Sequence, residues 1–166
     1  LAGREAVRLI DRSTYLQASF ILDAAVAWDR LLRAEFEEAI DAAAQWSQRA
    51  GAVASAPLRL LIAARTRGAD AVAEELLRQP WRFPVRDEPD FVSLGPLCVS
   101  AELAAELQSE EIAGQVLSAL TPVAGRGLVF SLAPPILIPR ALGIAATVAG
   151  RYVEADHLLR AAADLA

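Results

Sequence analysis

The sequence predicts an all-α domain of antiparallel helix pairs, about nine helices across residues 1–166. Three observations lead there. Apolar residues recur at helical spacing almost throughout, and no stretch alternates as a half-buried strand does. Alanine and leucine carry the apolar content, with aromatics at only 6%, which suits helices that approach closely. Glycine and proline fall between the periodic runs, where helices stop and start. At 17.7 kDa the chain fits one domain or one run of repeats.

The elements follow in order. Leu1 to Asp11 reads as a helix with Ala6, Leu9 and Ile10 on one face. Ser13 or Thr14 is placed to cap a second helix that runs to about Leu32. A third covers about Ala34 to Ala50 and stops at Gly51. Ser55-Ala56-Pro57 is expected to open the fourth, with Pro57 in its first turn and Gly68 at its end. Asp70 starts a short fifth helix that Pro80 closes. Residues Pro80 to Asp90 hold three prolines and form a first loop. A sixth helix is expected from about Phe91 to Leu107, and a seventh from Ser109 to about Leu120. Thr121 to Pro135 reads as a second long connection, with Val129-Phe130 a weak strand candidate inside it. The eighth helix runs from about Ile136 to Ala149, Gly150 ends it, and Arg151 to Leu165 forms the ninth.

Several function classes are excluded by composition. All 16 basic residues are arginine, so neither a Walker A lysine nor a Schiff-base lysine is present. One cysteine, Cys98, allows no internal disulfide and no thiolate zinc cage. A net charge of −5 argues against a nucleic-acid surface. The longest apolar run, near Leu128 to Ile138, is broken by Ser131, Pro134 and Pro135 and is too short to span a bilayer. A cytoplasmic setting is the default expectation. No methionine stands anywhere, so the chain reads as a piece of something longer.

The last two helices carry a repeat. Leu142-Gly143, Ala146, Gly150, Tyr152, Ala155, Leu159 and Ala162 closely resemble the tetratricopeptide repeat, with its small residue in the first helix, turn glycine, aromatic and spaced alanines in the second. Gly143 is small where two helices approach, Gly150 supplies a positive φ, and Tyr152 is expected to cover the turn. Weaker copies lie upstream. With the first alanine of the second helix as a ruler, Ala39, Ala73, Ala113 and Ala155 stand 34, 40 and 42 residues apart. The turn positions are then Ala34, Gly68, Gln108 and Gly150, and the aromatic position holds Phe36, Asp70, Glu110 and Tyr152. Arg30 occupies a position that the family fills with an apolar residue.

The stretch from Asp90 to Ala166 is also similar to the C-terminal helical-repeat region of large bacterial signal-transduction ATPases, whose chains carry LuxR-type DNA-binding or adenylate/guanylate cyclase domains. The carrying segments are Ala101 to Leu107, Leu120 to Phe130 and Pro139 to Ala166. The resemblance implies a TPR-like α-α superhelix forming a single domain over 1–166, and a regulatory interaction module without catalysis or cofactor. Its partner would be a protein, a peptide or another domain of the same full-length chain, and a homodimer is compatible with it. The alternative is a small-molecule sensor with a pocket between helices; an all-α enzyme ranks third.

In tetratricopeptide arrays the first helix of each pair lines the concave side. Carried over through the alanine ruler, the groove positions are Trp28, Leu58, Ile62, Arg65, Cys98, Glu102, Arg140, Ile144 and Thr147. Two arginines and a carboxylate on an apolar surface suit an amphipathic peptide of mixed charge, unless Arg65, Glu102 and Arg140 pair among themselves. Other features are weaker. Cys98 and His157 as nucleophile and base compete with a core and a helix-flank role. Gly125-Arg126-Gly127 as an anion turn competes with an ordinary loop turn. The acidic groups at Glu35, Glu37, Glu38, Asp41 and Glu110, Glu111 lack calcium-loop spacing. Trp81 and Phe83 are either a partner anchor or a pin for their own loop.

Overall fold

The computed structural model describes residues 19–78 and 91–166, and these are mostly helical. The first helix, α1, covers 19–32 of the described residues. It is followed by α2 (Phe36–Ala50), α3 (Ala52–Arg67), α4 (Ala69–Arg78), α5 (Phe91–Leu107) and α6 (Glu110–Gly125). A short hairpin of β1 (Phe130–Leu132) and β2 (Pro135–Leu137) leads into α7 (Ile138–Val148) and α8 (Tyr152–Asp164). The predicted helix over Leu1 to Asp11, the Ser13/Thr14 cap, the loop from Pro80 to Asp90 and the pair Trp81/Phe83 lie outside the described residues. Among the described residues there are thus eight helices, and the all-α expectation holds at that level.

Three of the four turns at the ruler positions share one geometry. Ala34, Gln108 and Gly150 all have positive φ, at 59°, 51° and 72°. The next N–H bonds back across each turn, from Glu35 to Arg30 O, from Ser109 to Ala104 O and from Arg151 to Ala146 O, at 2.8–3.0 Å. The left-handed residue itself donates to Leu31, Ala105 and Thr147 respectively. That is the Schellman pattern, which satisfies two carbonyls that a helix end leaves bare. The helix that follows then starts in a fixed phase. Its fourth residue donates the first helical bond: Ala39 to Glu35 O, Ala113 to Ser109 O, Ala155 to Arg151 O. All three alanines are buried.

The second copy departs. Gly68 also has positive φ, at 96°, but its N–H bonds only four residues back, to Ala64 O, and α4 begins at the very next residue. The turn is one residue shorter, so Val72 is buried where the ruler placed Ala73. Arg30 is also accounted for. A Schellman turn commonly joins its third-last helical residue and its exit residue by an apolar contact; here those two residues are Arg30 and Glu35, and an ion pair takes that place.

α5 is the central element. It packs against α3 on one side and α7 on the other, with α6 and the hairpin also against it. α8 covers α7, α2 covers α3, and α6 bridges α5 and α7. α1 meets α2 through Phe20 and Trp46, with ring centroids 6.0 Å apart, and through Asp23 and Arg49 at 2.5 Å. Trp46 is fully buried, and its indole N–H has no acceptor. An orphan donor costs about 1–3 kcal/mol, less than the roughly 4–6 kcal/mol gained by burying an indole-sized surface.

Four features differ from the sequence reading. α3 begins at Ala52, so Pro57 sits inside the helix; its missing N–H would have met the carbonyl of exposed Val53. α6 continues through Thr121 and Pro122 to Gly125, and Pro122 leaves the carbonyl of exposed Ser118 without a helical donor, where water can reach it. The stretch read as a connection without convincing strands contains the hairpin, which pairs Phe130 with Leu137, Ser131 with Ile136 and Leu132 with Pro135. Tyr152 does not cover its turn: it is 70% exposed.

The hairpin is possible because of Gly95. A methyl group there would stand 1.6 Å from the Ala133 carbonyl oxygen and 2.9 Å from the Pro134 nitrogen. At Gly143 the obstacle is the Leu159 side chain, 2.7 Å away at Cγ, and a half-exposed side chain can move as a backbone carbonyl cannot. Gly95→Ala is therefore expected to cost about 3 kcal/mol, and Gly143→Ala less. Gly114→Ala, on the exposed side of α6 with nothing within 4 Å, should gain about 0.5–1 kcal/mol from helix propensity. Urea denaturation of the three variants checks this order; equal midpoints for Gly95→Ala and Gly114→Ala would contradict it.

Candidate functional site

The nine groove positions separate into three groups. Trp28, Leu58 and Cys98 are core side chains, at most 5% exposed; Ile62 is equally buried, at 2%, but lines a cavity. The alanine ruler places residues along a helix but does not say how much of its face a neighbouring helix or hairpin covers. Arg65, Glu102, Arg140, Ile144 and Thr147 are partly or fully exposed on α3, α5 and α7. Ile62 lies at the floor of a separate cavity between α2 and α3.

The exposed group is tied together by charge. Glu102 and Glu106 stand one turn apart on α5, so they share a face. Glu106 accepts from Arg65 Nε of α3 at 3.3 Å, and Glu102 accepts from Arg140 Nη1 of α7. Two ion pairs therefore cross from the central helix to the helices on either side. Glu106, which the spacing did not single out, is the partner of Arg65. The Glu102 side chain is only 11% exposed, so removing Arg140 would leave a nearly buried carboxylate without its cation. Exchanging Arg65 and Arg140 for alanine would thus act on stability as well as on any partner. Thr147 bonds back to Gly143 O at 2.9 Å and leaves only its acceptor capacity for a ligand.

The cavity between α2 and α3 has a volume of about 500 Å³. One wall is Ile40, Ala43, Ala44 and Ser47, a single face of α2 over two turns; the other is the Arg59–Arg67 face of α3. No carboxylate lines it, and two arginines do. Arg67 pairs with Glu75 at 3.0 Å, with both groups more than half exposed, while Arg59 has no carboxylate partner among the described residues. The signal was present in the sequence as arginines two turns apart, but which face of α3 met α2 was not.

Cys98 and His157 do not meet: one is in the core on α5 and the other is exposed on α8. Above Cys98 the buried Ser131 hydroxyl donates to Pro134 O at 2.6 Å and accepts from Ile136 N–H at 3.3 Å. Gly125 ends α6, and Gly127 has φ 81° in the turn that follows. Asp156 and Arg160 form their i,i+4 pair at 3.0 Å on the exposed side of α8. Among the described residues no His, Cys, Asp and Glu side chains gather as a metal-binding group, and no helix is long and apolar enough to cross a membrane.

In comparisons with known proteins, the chain matches no family model, no curated protein and no solved structure.

Burial pushes the Cys98 thiol up from its ordinary value near 9 to about 12, with the neighbouring Ser131 hydroxyl opposing the rise. The unfolded chain therefore loses this proton first as pH rises. The thiol's contribution to stability is complete below about pH 9 and is lost as pH climbs toward about 12. Native protein at pH 8 should leave Cys98 unmodified by a thiol reagent. Between pH 8 and pH 10, the urea midpoint of the natural chain should fall more than that of Cys98→Ala. Rapid modification, or parallel pH profiles, would contradict the burial argument.

Proposed function

We propose that the chain is a tetratricopeptide-like, non-catalytic interaction module of a bacterial signalling or transcription regulator of the LuxR-type or cyclase-linked kind, which holds a peptide or partner domain on its helical surface. The observation that carries this reading is the recurrence of one turn geometry at Ala34, Gln108 and Gly150, each followed by an inward alanine at the same helical position. Repeated helix pairs of this kind stack with their first helices side by side, and α3, α5 and α7 are neighbours in that order. A stack presents an extended shaped surface without needing a converging polar constellation, and the side chains brought together on α3, α5 and α7 are ion-paired rather than poised for proton transfer.

A thermal-shift panel separates this reading from a small-molecule sensor. One arm holds designed helical and extended peptides of varied charge, the other a library of metabolites. The interaction reading expects at least one peptide class to raise the melting temperature in a dose-dependent way, as any ligand of the native state does. A shift by metabolites alone would overturn it.

A further inference from the structure

The partner's chemistry is legible in the cavity between α2 and α3, and we infer that this cavity receives an acidic amphipathic helix of a partner protein, seated along α3 with carboxylates on Arg59 and Arg67. The inference rests on the interaction reading above and names the partner it implies. Arg59 and Arg67 lie on one face of α3, eight residues and so roughly 12 Å apart. Between them the accessible apolar lining is Ala63 of α3 with Ile40 and Ala44 of α2, backed by buried Ile62 and Ala43. A cleft with an apolar centre and a cation toward each end is complementary to a helix with a short apolar ridge and an acid on either side of it.

Length favours a helix over a compact ligand. Both walls extend for two helical turns, the period at which a partner helix repeats an apolar pair between flanking acids seven residues apart. Charge favours an acidic one. The exposed carboxylates of α2, at Glu37, Glu38 and Asp41, stand outside the lining. Among the described residues Arg59 has no carboxylate partner. The Arg67–Glu75 pair is exposed, and such pairs exchange partners at little cost. The chain as a whole is acidic at −5, so a basic cleft on it discriminates among partners rather than attracting anions at large.

The test uses fluorescein-labelled peptides and anisotropy. The probe is a helical peptide with glutamates seven residues apart flanking two leucines. Its controls carry lysines for the glutamates, or serines for the leucines. Dodecanoate serves as a competitor that shares the carboxylate and the apolar chain but not the helix. Saturable binding of the glutamate–leucine peptide is expected, at least tenfold tighter than either control. Arg59→Glu should weaken it at least tenfold, and Arg59→Glu with Arg67→Glu should reverse the preference toward the lysine peptide. Both positions are exposed, so circular dichroism and melting temperature should stay close to those of the natural chain. Equal affinity in the natural chain and the double variant would overturn the assignment, as would a preference for dodecanoate over the peptide. If other peptides still raise the melting temperature while the acidic helix ignores Arg59, this inference fails and the interaction reading stands. If no peptide shifts the melting temperature in any arm, both fail.

Discussion

A left-handed residue between two helices fixes more than a change of direction. At Ala34, Gln108 and Gly150 the same pair of backbone bonds closes the outgoing helix, and the incoming helix begins in a set phase. Its fourth residue is buried at each turn and is a small one. Ala39, Ala113 and Ala155 are the outcome. Two of the three left-handed residues are not glycine, and such a conformation is unfavourable for an L side chain. The Schellman bonds and the burial that follows offset that strain. The shorter turn at Gly68 shows the constraint from the other side: with one residue fewer, the inward position moves to Val72.

α5 depends on a second constraint, the absence of a side chain at Gly95. The hairpin backbone occupies the space a methyl would need, which brings buried Ser131 over Cys98 and leads the chain directly into α7. The core thus extends from α3 through α5 to α7, with Cys98 buried inside it. Across α3, α5 and α7 runs the charged row from Arg65 to Arg140, already neutralised by Glu106 and Glu102. Among the described residues Arg59, also exposed on α3, carries a positive charge with no carboxylate partner, beside the apolar cleft of α2 and α3. The two surfaces differ in consequence: one holds helices in place, and the other has charge left for a partner.

Much of the helical plan was legible because it is written in local terms. Alanine spacing identified three inward positions correctly, and the turn residues followed from them. Ala73 was misplaced because residue type cannot report that the Gly68 turn is one residue short. Of the hairpin only Val129-Phe130 was marked, as a weak strand candidate, and the pairing was not legible, since three-residue strands are too brief to show alternation and the buried member at the centre of β1 is a serine. Trp28, Leu58 and Cys98 read as groove residues because a helix face has no mark in the sequence for what will cover it. The Arg140–Glu102 pair was one of the two alternatives the sequence offered, whereas Glu106, the partner of Arg65 41 positions away, was missed because spacing carries no information at that distance. The cleft escaped for the same reason: Ile40 and Arg59 become neighbours only when α2 packs on α3.

The repeated turn is the claim on which the architecture rests, and amide hydrogen exchange followed by NMR tests it most directly. The N–H groups of Glu35, Ser109 and Arg151 lie at helix junctions, where amides ordinarily exchange fast, yet each is bonded across its turn. All three are expected to exchange as slowly as Ala39, Ala113 and Ala155, the first hydrogen-bonded amides of the helices that follow. Fast exchange at these three positions alongside protected helices would contradict it, and with it the common register of the helix pairs.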